Sequence, residues 1–264
     1  MIDTSRRMQI IHAFILGIIE GITEFLPISS TGHLILASRL MGLPDTDFVR
    51  SFTVFIQLGA ICAVIALYVR ELVTSRALLL RVLVAFLPTA FVGIILYPFI
   101  KAVLLGSDFV TTIALFAGGI VLILIDRTAL ARRDTKENAA SLTLAQSALI
   151  GVTQAVSVVP GVSRAAATII GGRLAGLKRR DAVTFSFLLA IPTMLAATGL
   201  DLVKSAASFT AHEFLLLGVG FMVSFVVAVL VIRFFLRFIA HHSLAVFGYY
   251  RIALAAVYWL WSGR

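Results

Sequence analysis

EGITEFLPISSTGH, residues 20 to 33, places two carboxylates, four hydroxyls and an imidazole in fourteen consecutive positions of a chain that is 60% hydrophobic. Glu20 and Glu24 are four residues apart and share one face of any helix that contains both. Pro27 lacks a backbone donor and is expected to end such a helix. Ser29, Ser30 or Thr31 can cap a second helix, leaving free amides at its start, and a helix start of that kind attracts anions, phosphate above all. The stretch therefore reads as a break between two short helices, inside a segment from about 9 to 42 that is otherwise apolar.

The rest of the chain explains why a break there is unusual. Mean hydropathy is +1.05, only 13% of residues are charged, and repeated apolar runs are long enough to cross a hydrocarbon layer of about 30 Å. These features exclude a soluble fold and predict an all-α polytopic membrane protein, a single integral domain over 1–264. Six crossings are expected, at roughly 50–69, 77–100, 109–125, 182–203, 213–237 and 243–262. All are expected to be helical, because lipid offers backbone groups no other partner. A second apolar region, about 143–176, is broken by Pro160-Gly161 with Ser163 and Arg164. Both broken regions read as re-entrant helix-loop-helix elements, which are tolerated at membrane depth where protein or a wet cavity surrounds them.

The two broken regions resemble each other. Gly17-Ile18-Ile19-Glu20 aligns with Gly151-Val152-Thr153-Gln154, and Arg39-Leu40-Met41-Gly42-Leu43 with Arg173-Leu174-Ala175-Gly176-Leu177, at an offset of about 134 residues. Three expected crossings separate the copies, so they enter the membrane from opposite faces. The halves, about 9–125 and 143–262, then form an inverted repeat. This scheme gives one face thirteen Lys and Arg, among them Arg127, Arg132, Arg133, Lys136 and Arg173, and the other seven, among them Arg6, Arg7, Lys101, Lys204 and Arg264. The positive-inside rule makes the first face cytoplasmic and puts both termini and the first break outside. The net charge of +9 belongs to this pattern of flanking loops, and nucleic acid is not an expected partner. Cys62 stands alone, so neither a disulfide framework nor a cysteine metal site is expected. The first apolar segment carries glutamates and no small-residue cleavage pattern, and so is not read as a signal peptide.

Two carboxylates in an apolar segment must be offset by a divalent cation, by shared protons or by an arginine. His33, one turn into the second half-helix, suits an acid, a base or a nucleophile near neutral pH. Ser163 is a second capping serine, Arg164 a permanent cation, and Thr168 lies on the same helix face as Arg164. Arg164 suits either an anionic substrate or an ion pair with the two glutamates. Opposed half-helix starts with an arginine and two carboxylates describe an anion site near mid-membrane.

E-G-x-T-E-F-L-P-x-S-S-T-G-H at 20–33 and P-G-x-S-R at 160–164 with Thr168 closely resemble the two motifs of bacterial undecaprenyl-diphosphate phosphatases, the bacitracin-resistance family. The likeness runs almost the whole chain, including Phe55-Ile56-Gln57-Leu58-Gly59-Ala60 and Phe185-Ser186-Phe187-Leu188-Leu189-Ala190-Ile191-Pro192. The chain departs from the family where S-R-S-G-x-T is common: here Ala165-Ala166-Ala167 follow Arg164. The resemblance implies hydrolysis of undecaprenyl diphosphate to the monophosphate lipid carrier in the bacterial cytoplasmic membrane, helped by Mg²⁺ or Ca²⁺. Its partners would be the polyprenyl diphosphate and membrane lipids, and oligomers are compatible with it. In that reading Glu20 and Glu24 hold the metal, and Ser29, Thr31, Ser163, Arg164 and Thr168 hold the phosphates. The nucleophile is Ser30, His33 or a water, with Ser30 assisted by His33 preferred. The rival reading is a transporter, because broken helices in an inverted repeat also build transport sites.

Overall fold

The computed structural model describes residues 8–99, 108–127, 138–205 and 209–262. Ten α-helices follow in chain order: α1 Ile10–Thr23, α2 Ser30–Leu40, α3 Asp47–Thr74, α4 Arg76–Phe99, α5 Asp108–Arg127, α6 Leu144–Ala155, α7 Arg164–Leu174, α8 Arg179–Ser205, α9 Ala211–His241 and α10 Ala245–Ser262. Several cations in the orientation count, namely Arg6, Arg7, Lys101, Arg132, Arg133, Lys136 and Arg264, lie outside the described residues, as does the side chain of Lys204.

Five of the expected crossings are helices long and apolar enough to span a membrane, α3, α4, α5, α8 and α9. The sixth stretch forms α10, whose apolar part Ala245–Leu260 is shorter. The outer surface suits hydrocarbon. Met222, Val226, Leu230 and Phe234 recur every fourth residue on α9, each more than half exposed, and Leu87, Phe91 and Ile94 recur at spacings of four and three on α4, likewise more than half exposed. In water such stripes would drive association; in lipid they face a medium as apolar as themselves.

The two broken regions lie as short helix pairs, α1 with α2 and α6 with α7, inside this frame. α1 packs chiefly on α9, and α6 on α4. Both contacts need glycine: a Cβ on Gly17 would sit 2.8 Å from the Gly220 carbonyl, and one on Gly151 would sit 2.2 Å from that of Ala85. The larger core cluster fills the space between α3, α7, α8 and α9 with Phe25, Ile169, Phe185, Phe187 and Phe235.

One local expectation needs correction. α1 does not run to Pro27; it ends at Thr23, with Glu24 as its C-cap still in helical conformation and its N–H on the Glu20 carbonyl. Thr23 is the residue four before Pro27, whose ring and missing N–H oppose a further helical turn there, and Phe25 beyond it is fully buried and edge-on to Phe187 with ring centroids 5.3 Å apart. Pro27 therefore lies within the turn rather than at the helix end. Arg173, counted as a loop cation, is instead buried, and its Nη1 donates to the Leu177 carbonyl at 2.8 Å.

Candidate active site

The break after α1 delivers its polar groups through one strained residue. Ser29 is the N-cap of α2 with φ of +74°, the only described residue other than glycine in that region of φ. Such conformations are costly for residues with a Cβ and persist where the surrounding structure imposes them. The Ser29 hydroxyl accepts from the Gly32 N–H at 3.5 Å, and its carbonyl accepts from His33 Nδ1 at 2.7 Å. The break after α6 places its positive φ on Gly161 instead, at +90°. Ser163 then caps α7, accepting from the Ala166 N–H at 3.1 Å.

Glu24 is where the two breaks meet. Its Oε1 accepts from Arg164 Nη2 at 2.9 Å and its Oε2 accepts from the Ser30 hydroxyl at 2.6 Å. All three side chains are largely buried: Glu24 is 6% and Ser30 8% exposed, and the Arg164 side chain 10%. A charged pair at this depth is strengthened by low dielectric and is held in place by its other partners. Arg164 Nη1 donates to the Ser186 carbonyl on α8 at 3.0 Å, and Phe25 lies under the guanidinium at 5.9 Å. The remaining guanidinium nitrogen, Nε, is buried without a hydrogen-bond partner. It is a donor held ready for an anion.

Glu20 lies against Glu24, fully buried, with no N–H or hydroxyl donor on either oxygen; the polar group its carboxyl meets is that of Glu24. Two orphaned oxygens beside a second carboxylate suit a hard divalent cation, which takes oxygen ligands and shares them with substrate phosphates. Among the described residues no third His, Cys, Asp or Glu joins the pair. Mg²⁺ or Ca²⁺ therefore fits as an ion held by Glu20 and Glu24 and completed by phosphate oxygens and water.

The other candidates are placed differently. Both ring nitrogens of His33 have partners other than Ser30: with Nδ1 donating to the Ser29 carbonyl, its Nε2 accepts the Tyr250 hydroxyl proton at 2.7 Å, and the two rings stack in parallel at 5.6 Å. Thr168 is fully buried, donating to the Arg164 carbonyl at 2.9 Å and sharing a hydrogen bond with the Ser186 hydroxyl at 2.5 Å. It braces α7 against α8. Thr31 is exposed beside the cluster, and Ala165, Ala166 and Ala167 are buried. A separate cavity of about 480 Å³, lined by Tyr68, Glu71, Lys178, Arg180, Asp181 and Thr184 among others, contains none of these site residues.

The family description Bacitracin resistance protein BacA matches residues 13–257. The chain belongs to the BacA family. Proteins called undecaprenyl-diphosphatase match it over nearly their whole length: one from Aquifex aeolicus is 50% identical, covering 94% of this chain and 96% of that protein. One from Thermus thermophilus is 49% identical, covering 96% and 97%, and one from Sulfurihydrogenibium is 44% identical, covering 96% and 100%.

Within this BacA chain the residues that sequence reasoning passed over are Tyr250, Arg251 and Tyr258, all on α10. Tyr258 donates to the Gly32 carbonyl at 3.1 Å. The available signal was an arginine inside an apolar run, the same kind of signal that singled out Arg164.

Proposed function

We propose that this protein hydrolyses undecaprenyl diphosphate to undecaprenyl phosphate and inorganic phosphate, returning the lipid carrier to cell-envelope synthesis. The observation that carries the reading is Glu24, bonded at once to the Ser30 hydroxyl and to Arg164. It sits in a chain 50% identical to an undecaprenyl-diphosphatase. A hydroxyl aimed at a carboxylate beside an arginine with a spare donor is a phosphoryl-transfer arrangement.

In the mechanism that follows, Ser30 Oγ attacks the terminal phosphorus as its proton passes to Glu24 Oε2. The P–O bond of the anhydride breaks, and undecaprenyl phosphate leaves with the bonding electrons. Arg164 Nε and Nη2 stabilise the charge on the transferring phosphoryl oxygens. Water then attacks the phosphorus of phosphoserine 30, the P–Oγ bond breaks, Glu24 returns its proton to Ser30 Oγ, and the water's proton stays on the inorganic phosphate that departs. Glu20 and Glu24 would hold a divalent cation, which would supply Lewis-acid neutralisation of phosphate charge. The general base is thus Glu24 rather than His33, whose two nitrogens serve the Ser29 carbonyl and Tyr250. Ser29, Ser163 and Thr168 hold the helix starts in place, while exposed Thr31 stands where the diphosphate enters.

The same reading keeps 9–125 and 143–262 as inverted repeats of one membrane domain, with the site open to the outer leaflet of the bacterial inner membrane. Purified protein in detergent is the direct test. Phosphate release from undecaprenyl diphosphate with Mg²⁺ or Ca²⁺ is expected, and rapid quenching is expected to trap phosphoserine. No release across a cation titration, with polyprenyl phosphate movement in sealed vesicles instead, would favour a transporter. Release without a trapped adduct would make water the nucleophile and Ser30 its orienting group. For orientation, Asp47→Cys and Thr74→Cys on a Cys62→Ala background report the two ends of α3: an impermeant maleimide should label the first in spheroplasts and spare the second. The reverse pattern would put the site on the cytoplasmic side.

A further inference from the structure

Arg251 lies in α10 with no accessible surface. Its guanidinium donates only to backbone carbonyls: Nε to Leu115 at 3.3 Å, Nη1 to Pro27 at 3.4 Å, and Nη2 to Ala114 at 2.9 Å and Gly161 at 3.0 Å. Among the described residues no carboxylate is paired with it. A buried arginine with no anion is unfavourable unless dipoles surround it, and here four carbonyls from three parts of the chain do so. Two of the four are the turning points of the two breaks. Ser30 stands three residues beyond Pro27, and Arg164 three residues beyond Gly161.

We infer that Arg251 is a positioning residue for the phosphatase reaction: one guanidinium sets the spacing between the two breaks, and thereby the fit of Ser30 and Arg164 to Glu24. The inference rests on the phosphatase reading. Arg251 acts through the Pro27 and Gly161 carbonyls and does not touch the substrate. Neither break alone can fix this spacing, because each ends in a turn, and of the two Glu24 hydrogen bonds only that from Arg164 reaches from one break to the other. Loss of a fraction of an ångström here weakens attack without removing any group that reacts.

Two neighbouring glycines on α5 separate this role from general packing. The three atoms nearest to a Cβ on Gly118 would all belong to the Arg251 guanidinium, with Nη2 at 2.3 Å and Cζ at 2.8 Å. A Cβ on Gly119 would meet the Gly248 carbonyl at 2.7 Å and Ile252 Cγ1 at 2.9 Å, with the stem of Arg251 further off at 3.3 Å. Gly118→Ala therefore displaces the guanidinium, whereas Gly119→Ala wedges α5 from α10.

The experiment measures kcat, KM and thermal midpoint of detergent-purified wild type, Gly118→Ala, Gly119→Ala and Arg251→Lys with undecaprenyl diphosphate. Arg251→Lys and Gly118→Ala are expected to lose about a hundredfold in kcat with KM within about threefold of wild type. Gly119→Ala is expected to lower the thermal midpoint while folded protein keeps its kcat. The role is overturned if Gly118→Ala and Gly119→Ala lose activity only in proportion to stability. It is overturned equally if Arg251→Lys keeps kcat and raises KM, since the charge would then act on substrate. Should Arg251→Lys not fold, the glycine pair decides alone. A wild type that releases no phosphate would sink the phosphatase reading and this role together; an active wild type beside an unaffected Gly118→Ala sinks the role alone.

Discussion

The break after α1 and the break after α6 both end in a serine that caps the next helix, but they treat their polar residues in opposite ways. Glu20, in the first, leaves two buried oxygens without partners. Its sequence counterpart in the second, Gln154, is equally buried but donates from Nε2 to Thr89 at 2.9 Å and to Thr193 at 3.0 Å, tying α6 to α4 and α8. The first break bears its backbone strain on Ser29, the second on Gly161, where no Cβ opposes it. The second break is tied to its neighbours through the Gln154 amide, although its Oε1 is buried without a partner, and it adds the unpartnered Arg164 Nε to the two Glu20 oxygens of the first. Buried polar atoms left unpaired are expensive, so the Glu20 oxygens and Arg164 Nε, one set from each break, mark where binding energy is gained.

The contrast can be broken at its strongest point first. Glu24→Gln should lower kcat by about a hundredfold or more, since it removes the acceptor for the Ser30 proton, and the purified variant should fold but melt below wild type, because Arg164 loses its buried counter-charge. Normal turnover would return the base to His33 or to water. Glu20→Gln should also cost about a hundredfold, and with it the rise in thermal midpoint that Mg²⁺ or Ca²⁺ gives the wild type. If cation stabilisation survives the change, Glu20 does not hold the ion. Tyr250→Phe leaves His33 Nε2 without its donor and should reduce kcat by about tenfold, the size expected for one support of a site residue rather than a reacting group. An unchanged rate would make the stacked pair a packing contact. The smallest kinetic effect belongs to the scaffold side: Gln154→Ala should leave kcat within about threefold while lowering stability by about 1–3 kcal/mol, measured by thermal melting. A large kinetic loss there would erase the distinction between the breaks.

Much of this was legible in the chain, and the reason is local. Apolar runs report a lipid solvent without reference to any partner, and a proline among hydroxyls in such a run reports a break. Carboxylates and an arginine at membrane depth are conspicuous because their cost there does not depend on which helix lies next to them. Hence Glu20, Glu24, Ser30 and Arg164 were all found from composition and spacing. The contact of Phe25 with Phe187 across the core was not, since it joins residues far apart in the sequence.

What the sequence by itself determined was therefore the solvent, the helical class, the two breaks and the inventory of chemistry they carry. Only the tertiary structure decided the pairings. Glu24 meets an arginine 140 residues away, His33 turns from Ser30 to Tyr250, and a helix that reads as a plain span supplies Arg251 to both breaks. Periodicity tells which residues share a face of one helix; it carries no information about which face of another helix will meet them. That choice is made by close packing over the whole bundle, at contacts as tight as Gly17 on Gly220 and Gly151 on Ala85.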